Sequence, residues 1–276
     1  MPVVLITGCS SGIGRETARL FARRGWRVFA SLRDPGRPEA EALRAEAARE
    51  GWTLETPHLD VTDDASVDAA VGAMLRATGG TVDAVVNNAG SLLSGPLEEI
   101  PPEALRAHLD TLVVGVHRVT RAVLPAMRAR GRGRVVVVSS LAGRSATPIL
   151  GAYHAAKFGV EGMAEAWRYE LAPFGIDVAI VAPGPFGTEL HRNERRYAAP
   201  GSPYAGTVAA YDRLAGRLTR GDAGQVAEAI FRASSGARPP LRRRVGPFSF
   251  VGGRLPSLIP DSWRERLLRL AFRYMS

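Results

Sequence analysis

Two residue types are almost missing from this chain of 276 residues. Cys9 is the single cysteine, so no internal disulfide can form, which suits a reducing compartment. Of the 36 basic residues only Lys157 is a lysine; all the others are arginines, so the lone ammonium invites a chemical explanation. No run approaches ~18 consecutive apolar residues, and no transmembrane helix is expected. The opening MPVVLITG lacks the basic region and cleavage pattern of a secretory leader, so the expected location is cytoplasmic. His108, His117, His154 and His191 show no metal-ligand spacing, and no Cys/His cluster exists, so no metal is expected.

Charge of one sign is scarce except at one end. Nine arginines between Gly236 and Ser276 face only Asp261 and Glu265, which accounts for seven of the net +9. The rest of the chain is close to neutral, which argues against a nucleic-acid surface. From Ser262 to Met275, Trp263, Leu267, Leu270, Ala271 and Tyr274 recur at helical spacing, and Leu268 and Phe272 widen the apolar face. Arg266, Arg269 and Arg273 form a separate basic stripe. Such a helix either covers the substrate cleft or a neighbouring subunit, the favoured reading, or lies on an anionic membrane.

What is present is a regular alternation. Apolar runs at Val3–Ile6, Arg27–Ser31, Thr53–Leu59, Val82–Asn87, Arg134–Ser139, Ile176–Ala182 and Leu241–Val245 read as seven strands. Helical patterns lie between them at Gly12–Arg24, Pro38–Glu50, Asp64–Ala77, Pro101–Arg130, Tyr153–Ala172 and Asp222–Ser235. Runs such as Val135–Val138 do not alternate, as expected where both faces of a strand are covered. The pattern predicts one doubly wound, Rossmann-type α/β domain over residues 1–276, with a mostly parallel sheet and helices on both faces. The rhythm breaks over residues 185–221, a candidate substrate lid, and residues 247–276 form a C-terminal extension.

The first strand runs into Thr7-Gly8-Cys9-Ser10-Ser11-Gly12-Ile13-Gly14, directly before a helix. Glycines there permit a tight turn and close approach of a pyrophosphate, and the helix N-terminus favours its charge. Gly8, Ser10, Ser11, Gly12, Ile13 and Gly14 are therefore candidate cofactor contacts. Strand two ends Ala30-Ser31-Leu32-Arg33-Asp34, with arginine where an acidic residue commonly binds the ribose 2′-OH. The guanidinium fork of Arg33 suits a 2′-phosphate, which predicts NADP(H). Asp34, followed by Pro35, is expected to turn away. Cys9 reads as a small packed loop residue rather than an activated thiol.

Tyr153 and Lys157 stand four residues apart at a helix start, hence on one face. A nearby ammonium and an oxidised nicotinamide would both lower the phenol's pKa toward the working range. Tyrosine can then exchange the substrate hydroxyl proton while hydride moves to or from nicotinamide. Ser140, at the end of a strand, is placed to hydrogen-bond the carbonyl oxygen. Tyr153, Lys157 and Ser140 are the candidate catalytic residues.

Taken together, TGCSSGIG, Asp60-Val61, Asn87-Asn88-Ala89-Gly90, Ser139-Ser140, Tyr153-HAA-Lys157 and Pro183-Gly184 with Thr188 resemble the short-chain dehydrogenase/reductase family, from Val3 to about Gly246. The segment ASLRD and the C-terminal extension look most like the steroid and retinol dehydrogenase branch. The resemblance implies that Asp60 and Val61 flank the adenine and that Asn87, Ala89 and Gly90 lie beneath the cofactor. It places Pro183, Gly184 and Thr188 around the nicotinamide carboxamide, and brings Tyr153 and Lys157 against the cofactor as well. It also implies a small carbonyl or alcohol substrate, apolar in this branch, and a homodimer or homotetramer.

One position departs from the family pattern. An asparagine usually stands in the long helix, holding the water through which the lysine exchanges protons; here that position falls on Leu112. Either the relay uses another group, such as Thr111 or bulk water, or turnover is impaired and the protein is a cofactor-binding sensor or regulator. His154 and His191 lie near the expected substrate mouth, but histidines here are expected on helix surfaces or in the core. Met163, Trp167 and Leu171 recur at helical spacing as a packing stripe.

Overall fold

The computed structural model describes residues 1–184, 194–217 and 221–246, with residues 259–260, 262–263, 265–266 and 269–270 beyond. Strand β1 (Val3–Thr7) leads into α1 (Gly12–Arg23), β2 (Arg27–Ser31), α2 (Pro38–Glu50), β3 (Leu54–Glu55) and α3 (Asp64–Ala77). After β4 (Ala84–Asn87) and the short β5 (Leu93–Ser94) come α4 (Pro102–Leu109), a π turn over Asp110–Val114, and α5 (Gly115–Ala129). Then follow β6 (Gly133–Val138), α6 (Gly151–Glu170), β7 (Ile176–Pro183), β8 (Arg195–Arg196), α7 (Ala205–Arg217), α8 (Ala223–Ser235) and β9 (Arg242–Val245).

Seven strands form one parallel sheet in the order β3-β2-β1-β4-β6-β7-β9. The unbroken valine runs are explained by burial on both faces. Leu5, Val85, Val135, Val137, Val178 and Ile180 enter the layer shared with α3, α5 and α6. Their neighbours Val4, Ile6, Val86, Val136, Val138 and Val181 enter the opposite layer with α1 and α8. There Phe21 meets Trp26 and Phe231 edge-on, with ring centres 5.0 Å apart in each case. Met163, Trp167 and Leu171 join the first layer, so the stripe read on α6 is core.

Chain order reverses between β1 and β4, which opens a crevice at the carboxyl ends of the strands. Every candidate segment ends there: the glycine loop after β1, Asn87–Gly90 at β4, Ser139-Ser140 after β6, and Pro183-Gly184 at β7.

Three segments differ from expectation. The helix read over Pro101–Arg130 is broken by the π turn, beside the point where Gly115 packs on Val61. A Cβ at 115 would lie 2.9 Å from the Val61 side chain. The strand read over Thr53–Leu59 is regular only at Leu54–Glu55; past Pro57, which has no N–H, it continues as a bridge between Leu32 and His58. Within the candidate lid, α7 and the β5–β8 pair form regular structure that the loop-rich composition concealed. Asp63 caps α3, accepting from the Ala65 N–H at 2.9 Å, and Gly25 follows α1 in a left-handed conformation (φ 75°).

Candidate functional site

The glycine loop is held by what its residues lack. Gly8 has φ 74°, and a Cβ there would lie 2.7 Å from the Ala89 Cα. At Gly14 a side chain would collide with the Gly8 carbonyl and sit 2.5 Å from the Asn88 amide nitrogen. The Asn88 amide donates to the Thr7 and Gly8 carbonyls at 2.9 and 3.1 Å, tying the end of β4 to the loop. The Thr7 hydroxyl accepts from the Asn88 and Ala89 N–H groups, both at 3.0 Å. Arg15 clasps the Ser10 carbonyl through Nε at 3.1 Å and through its terminal nitrogen.

At the mouth of α1 no side chain caps the helix: Ser11 is extended and makes no capping bond, and the first turn carries no acidic residue. Its free N–H groups therefore suit an anion. Asn87 donates to the Thr120 hydroxyl at 3.0 Å, while its buried Oδ1 has no partner among the described residues. This cradle fits a dinucleotide: a loop too tight for side chains, an open helix N-terminus and a spare buried acceptor. Cys9 is buried within it, bonded to the Ile6 carbonyl at 3.3 Å, and burial pushes its thiol pKa far up.

Beyond β2, Arg33 is exposed. Asp34 is engaged within its own loop, accepting from the Gly36 N–H at 3.0 Å and pairing with Arg37 at 3.5 Å. The Asp60 carboxylate accepts from the Thr62 N–H and hydroxyl at 2.9 and 2.8 Å. Burial works to raise its pKa, but those bonds and the nearby Arg33 and His58 charges hold it below the usual range. Val61 is buried beside it.

Ser139 and Ser140 part company at the end of β6. Ser139 donates to the buried Glu161 carboxylate at 3.0 Å. The Ser140 hydroxyl accepts from the Ala142 N–H at 3.1 Å and lies close enough to Tyr153 to act on its pKa. Tyr153 packs among Leu92, Leu112 and Ala156. Burial in this apolar wall pushes its pKa up to about 12, against the opposing pull of Ser140. Lys157 is buried too, donates to the Val138 carbonyl at 2.9 Å, and stands 5.6 Å from the Tyr153 ring centre. Burial brings the Lys157 pKa down to about 8, although Glu161 works the other way. The phenol thus stays protonated at neutral pH, while the ammonium bonds backbone rather than lowering the phenol's pKa by direct contact.

Several neighbours of this pair escaped the sequence reading. Glu161, one turn beyond Lys157, also receives Arg242 from β9 at 2.8 Å, and Arg242 reaches Glu165 at 2.6 Å. Their helical spacing was a visible signal; the reach to β9 was not. Ile149, just before α6, is a β-branched residue at φ 72° whose carbonyl accepts from the Gly95 N–H at 2.8 Å. His108, at the end of α4, is only 5% exposed; its ring centre lies 6.2 Å from that of Tyr153, and its buried Nε2 has no partner among the described residues. Tyr211 on α7 is buried and close enough to Tyr153 to feel its charge.

Other candidates resolve into structural roles. His154 accepts from the Thr147 N–H at 2.9 Å and donates to the Ala142 carbonyl at 2.8 Å, so its ring buttresses the loop after β6. His117 stacks on Trp167. The Thr111 hydroxyl is spent on the Ala107 carbonyl at 3.0 Å. Leu112 is buried in the wall beside Tyr153 and brings no polar atom. Thr188 and His191 lie outside the described residues, as do Leu267, Leu268, Ala271, Phe272, Arg273 and Tyr274. In the same segment Trp263 is 64% exposed and Leu270 is also exposed, so those two do not cover the cleft of their own chain. Among the described residues no His/Cys/Asp/Glu cluster can hold a metal, and no helix is long and apolar enough to cross a membrane.

The profile of the short chain dehydrogenase family matches residues 2–198, from β1 through the site to β8. The chain belongs to the short-chain dehydrogenase family. It is 38% identical over 257 residues to retinol dehydrogenase 8 of Bos taurus, covering 88% of this chain and 80% of that enzyme. It is 45% identical over 192 residues to human 17-beta-hydroxysteroid dehydrogenase type 1, covering 67% of this chain and 57% of that enzyme. Retinol and steroid dehydrogenases thus stand among its relatives. A solved short-chain dehydrogenase of Streptomyces avermitilis superposes with a TM-score of 0.83 at 35% identity, covering 98% and 97% of the two chains. A gluconate 5-dehydrogenase of Burkholderia cenocepacia, solved with NADP and tartrate, gives 0.74 at 28% identity over 91% and 95%. As a family member the protein is an oxidoreductase that binds a nicotinamide cofactor and acts on small molecules.

Proposed function

We propose that this protein is an NADP(H)-dependent reductase or dehydrogenase that interconverts a carbonyl and an alcohol, with Tyr153 as the proton donor and acceptor. The observation that carries the reading is the joint burial of Tyr153 and Lys157 beside Ser140 at the carboxyl ends of the strands, the same end of the sheet as the glycine cradle. Gly8, Ser10–Gly14, Asp60, Val61, Asn87, Ala89, Gly90, Pro183 and Gly184 hold the dinucleotide, and Thr188 completes its carboxamide end. When bound, the cofactor supplies or receives the hydride.

Ser140 orients the substrate oxygen, and the protonated Tyr153 donates to it. Lys157, anchored on the Val138 carbonyl, replaces that proton and holds the nicotinamide ribose. Arg33 favours NADP(H): it is an exposed guanidinium beyond β2, with Asp34 engaged within its own loop. The solved relative with bound NADP supports the same preference. The apolar wall of Leu92, Leu112 and Leu150 around Tyr153 suits an apolar substrate, in keeping with retinol- and steroid-acting relatives. Exposed Phe158 and Tyr169 on α6 support self-association as a dimer or tetramer.

Following absorbance at 340 nm with NADPH or NADH and a panel of ketones and aldehydes tests the reading. NADPH oxidation should exceed NADH oxidation. Tyr153→Phe should keep NADPH affinity yet lose about 10²–10⁴-fold in turnover. A Tyr153→Phe enzyme that keeps more than about a tenth of the rate overturns this role for the tyrosine.

A further inference from the structure

Every carbonyl reduced leaves Tyr153 short of one proton, and the route for its return is the unsolved part of this site. Lys157 is the adjacent donor, but it is buried, and its visible bond is to a carbonyl that has no proton to give. Leu112 lines the same wall and can neither donate nor accept. Thr111 has spent its hydroxyl on the helix backbone. Beside Tyr153 one buried polar atom stands without a partner among the described residues: Nε2 of His108.

We propose that His108 is a positioning residue for Lys157, its Nε2 holding the water through which the amine regains a proton; the proposal rests on the functional reading above. A buried ring nitrogen left unpaired costs about 1–3 kcal/mol, so a water bonded to it is favoured. The His108 ring lies 6.2 Å from that of Tyr153, and the ammonium 5.6 Å from the Tyr153 ring on its own side. His108 and Lys157 therefore border the same phenol, near enough for the Lys157 charge to act on the imidazole, and a water held by Nε2 would stand in that shared space.

The proton balance closes with no additional reagent. Tyr153 gives its proton to the substrate oxygen, and Lys157 gives one to the phenolate. The neutral amine takes one from the held water, and the hydroxide left behind takes a proton from bulk solvent and is water again. The imidazole exchanges only hydrogen-bond partners and ends unchanged. It must stay neutral to accept from the water, and it does: burial, helped by the Lys157 charge, brings its pKa down to about 4. The groups that face it are Lys157 and Tyr153 from α6. Asp110, in the π turn that follows, is turned to Arg118 at 2.8 Å.

Two measurements decide. In cofactor-free protein labelled with ¹⁵N-histidine, the His108 ring signals should shift as Lys157 titrates near pH 8. That shift should vanish in Lys157→Met. In the holoenzyme, His108→Leu should lower kcat at least tenfold, with the alkaline limb of its pH profile displaced and NADPH affinity and melting temperature unchanged. His108→Gln, which can still hold a water, should keep most of the rate, and His108→Leu with Leu112→Asn should regain it. Ring signals that ignore the Lys157 titration overturn the proposal. So does a folded His108→Leu enzyme within about twofold of the parent rate at every pH, since a lost proton-transfer contact should cost far more. A parent protein that reduces no carbonyl in the panel breaks the functional reading instead, while the NMR measurement still decides whether His108 and Lys157 are coupled.

Discussion

The two ends of the crevice are built on different principles. At the glycine loop the backbone does the binding, and the site depends on side chains being absent: Gly8 and Gly14 touch Ala89, the Gly8 carbonyl and Asn88 with no room to spare. At the Tyr153 end the proposed chemistry falls to side chains. What matters there is which buried polar atoms face one another across an apolar wall. The first end tolerates no added atom, whereas the second tolerates replacement where the same hydrogen bond is supplied from another position. Leu112, in the family's asparagine position, adds to the apolar wall, and the proposal for His108 puts the missing polar contact on a neighbouring helix.

The sharpest way to break this contrast is Gly14→Val. Its branched side chain would strike the Gly8 carbonyl and the Asn88 amide. We expect loss of detectable NADPH binding by fluorescence titration, and lower stability by about 1–3 kcal/mol in a thermal melt, as overpacking typically costs. Near-normal affinity would mean that the loop yields, and the cradle argument would fall.

Next in size is Arg33→Ala, which removes a charged partner from the 2′-phosphate. NADPH affinity should fall roughly ten- to hundredfold while NADH affinity barely moves, because a charged hydrogen bond contributes about 1.5–3 kcal/mol. Equal losses for both cofactors would show that Arg33 acts on the loop rather than on the phosphate.

Lys157→Met probes the cost of burying the lysine. Its pKa is about 8 in the folded protein against 10.5 when unperturbed, so between those values the unfolded chain binds more protons and stability rises with pH. Below pH 8 the buried cation carries the full penalty, at most about 3 kcal/mol. Lys157→Met should therefore melt higher than the parent at pH 7, with the gain shrinking as pH rises toward 10.5. A gain that does not depend on pH would show that packing, not charge, is responsible.

The smallest effect is expected for Leu112→Asn. With His108 already in place the added amide has little to supply, so kcat should change by less than about threefold, while burying an amide costs about 1–3 kcal/mol in the melt. A rise of tenfold or more, with the fold intact, would show that the relay had been missing.

How far the sequence alone could be read follows the same division. The alternating apolar runs and glycine spacing determined the succession of strands and helices, the parallel sheet and the glycine loop, because period, turn residues and strand length are local properties, whereas the order of strands in the sheet came from the tertiary structure. The pair Tyr153–Lys157 was legible from helical spacing and from the chain's single lysine. Tertiary structure decided the rest. Asn88 ties the loop although its neighbour Asn87 looked equally eligible, because only the pleat of β4 determines which amide faces β1. Ser139 and Ser140 are adjacent in sequence, yet one serves Glu161 and the other Tyr153. His108 looked like any helix histidine until α4 was packed on α6 and left its Nε2 unpaired beside Tyr153. Spacing along the chain fixes which face a residue takes; burial and unpaired polar atoms arise only when distant faces meet.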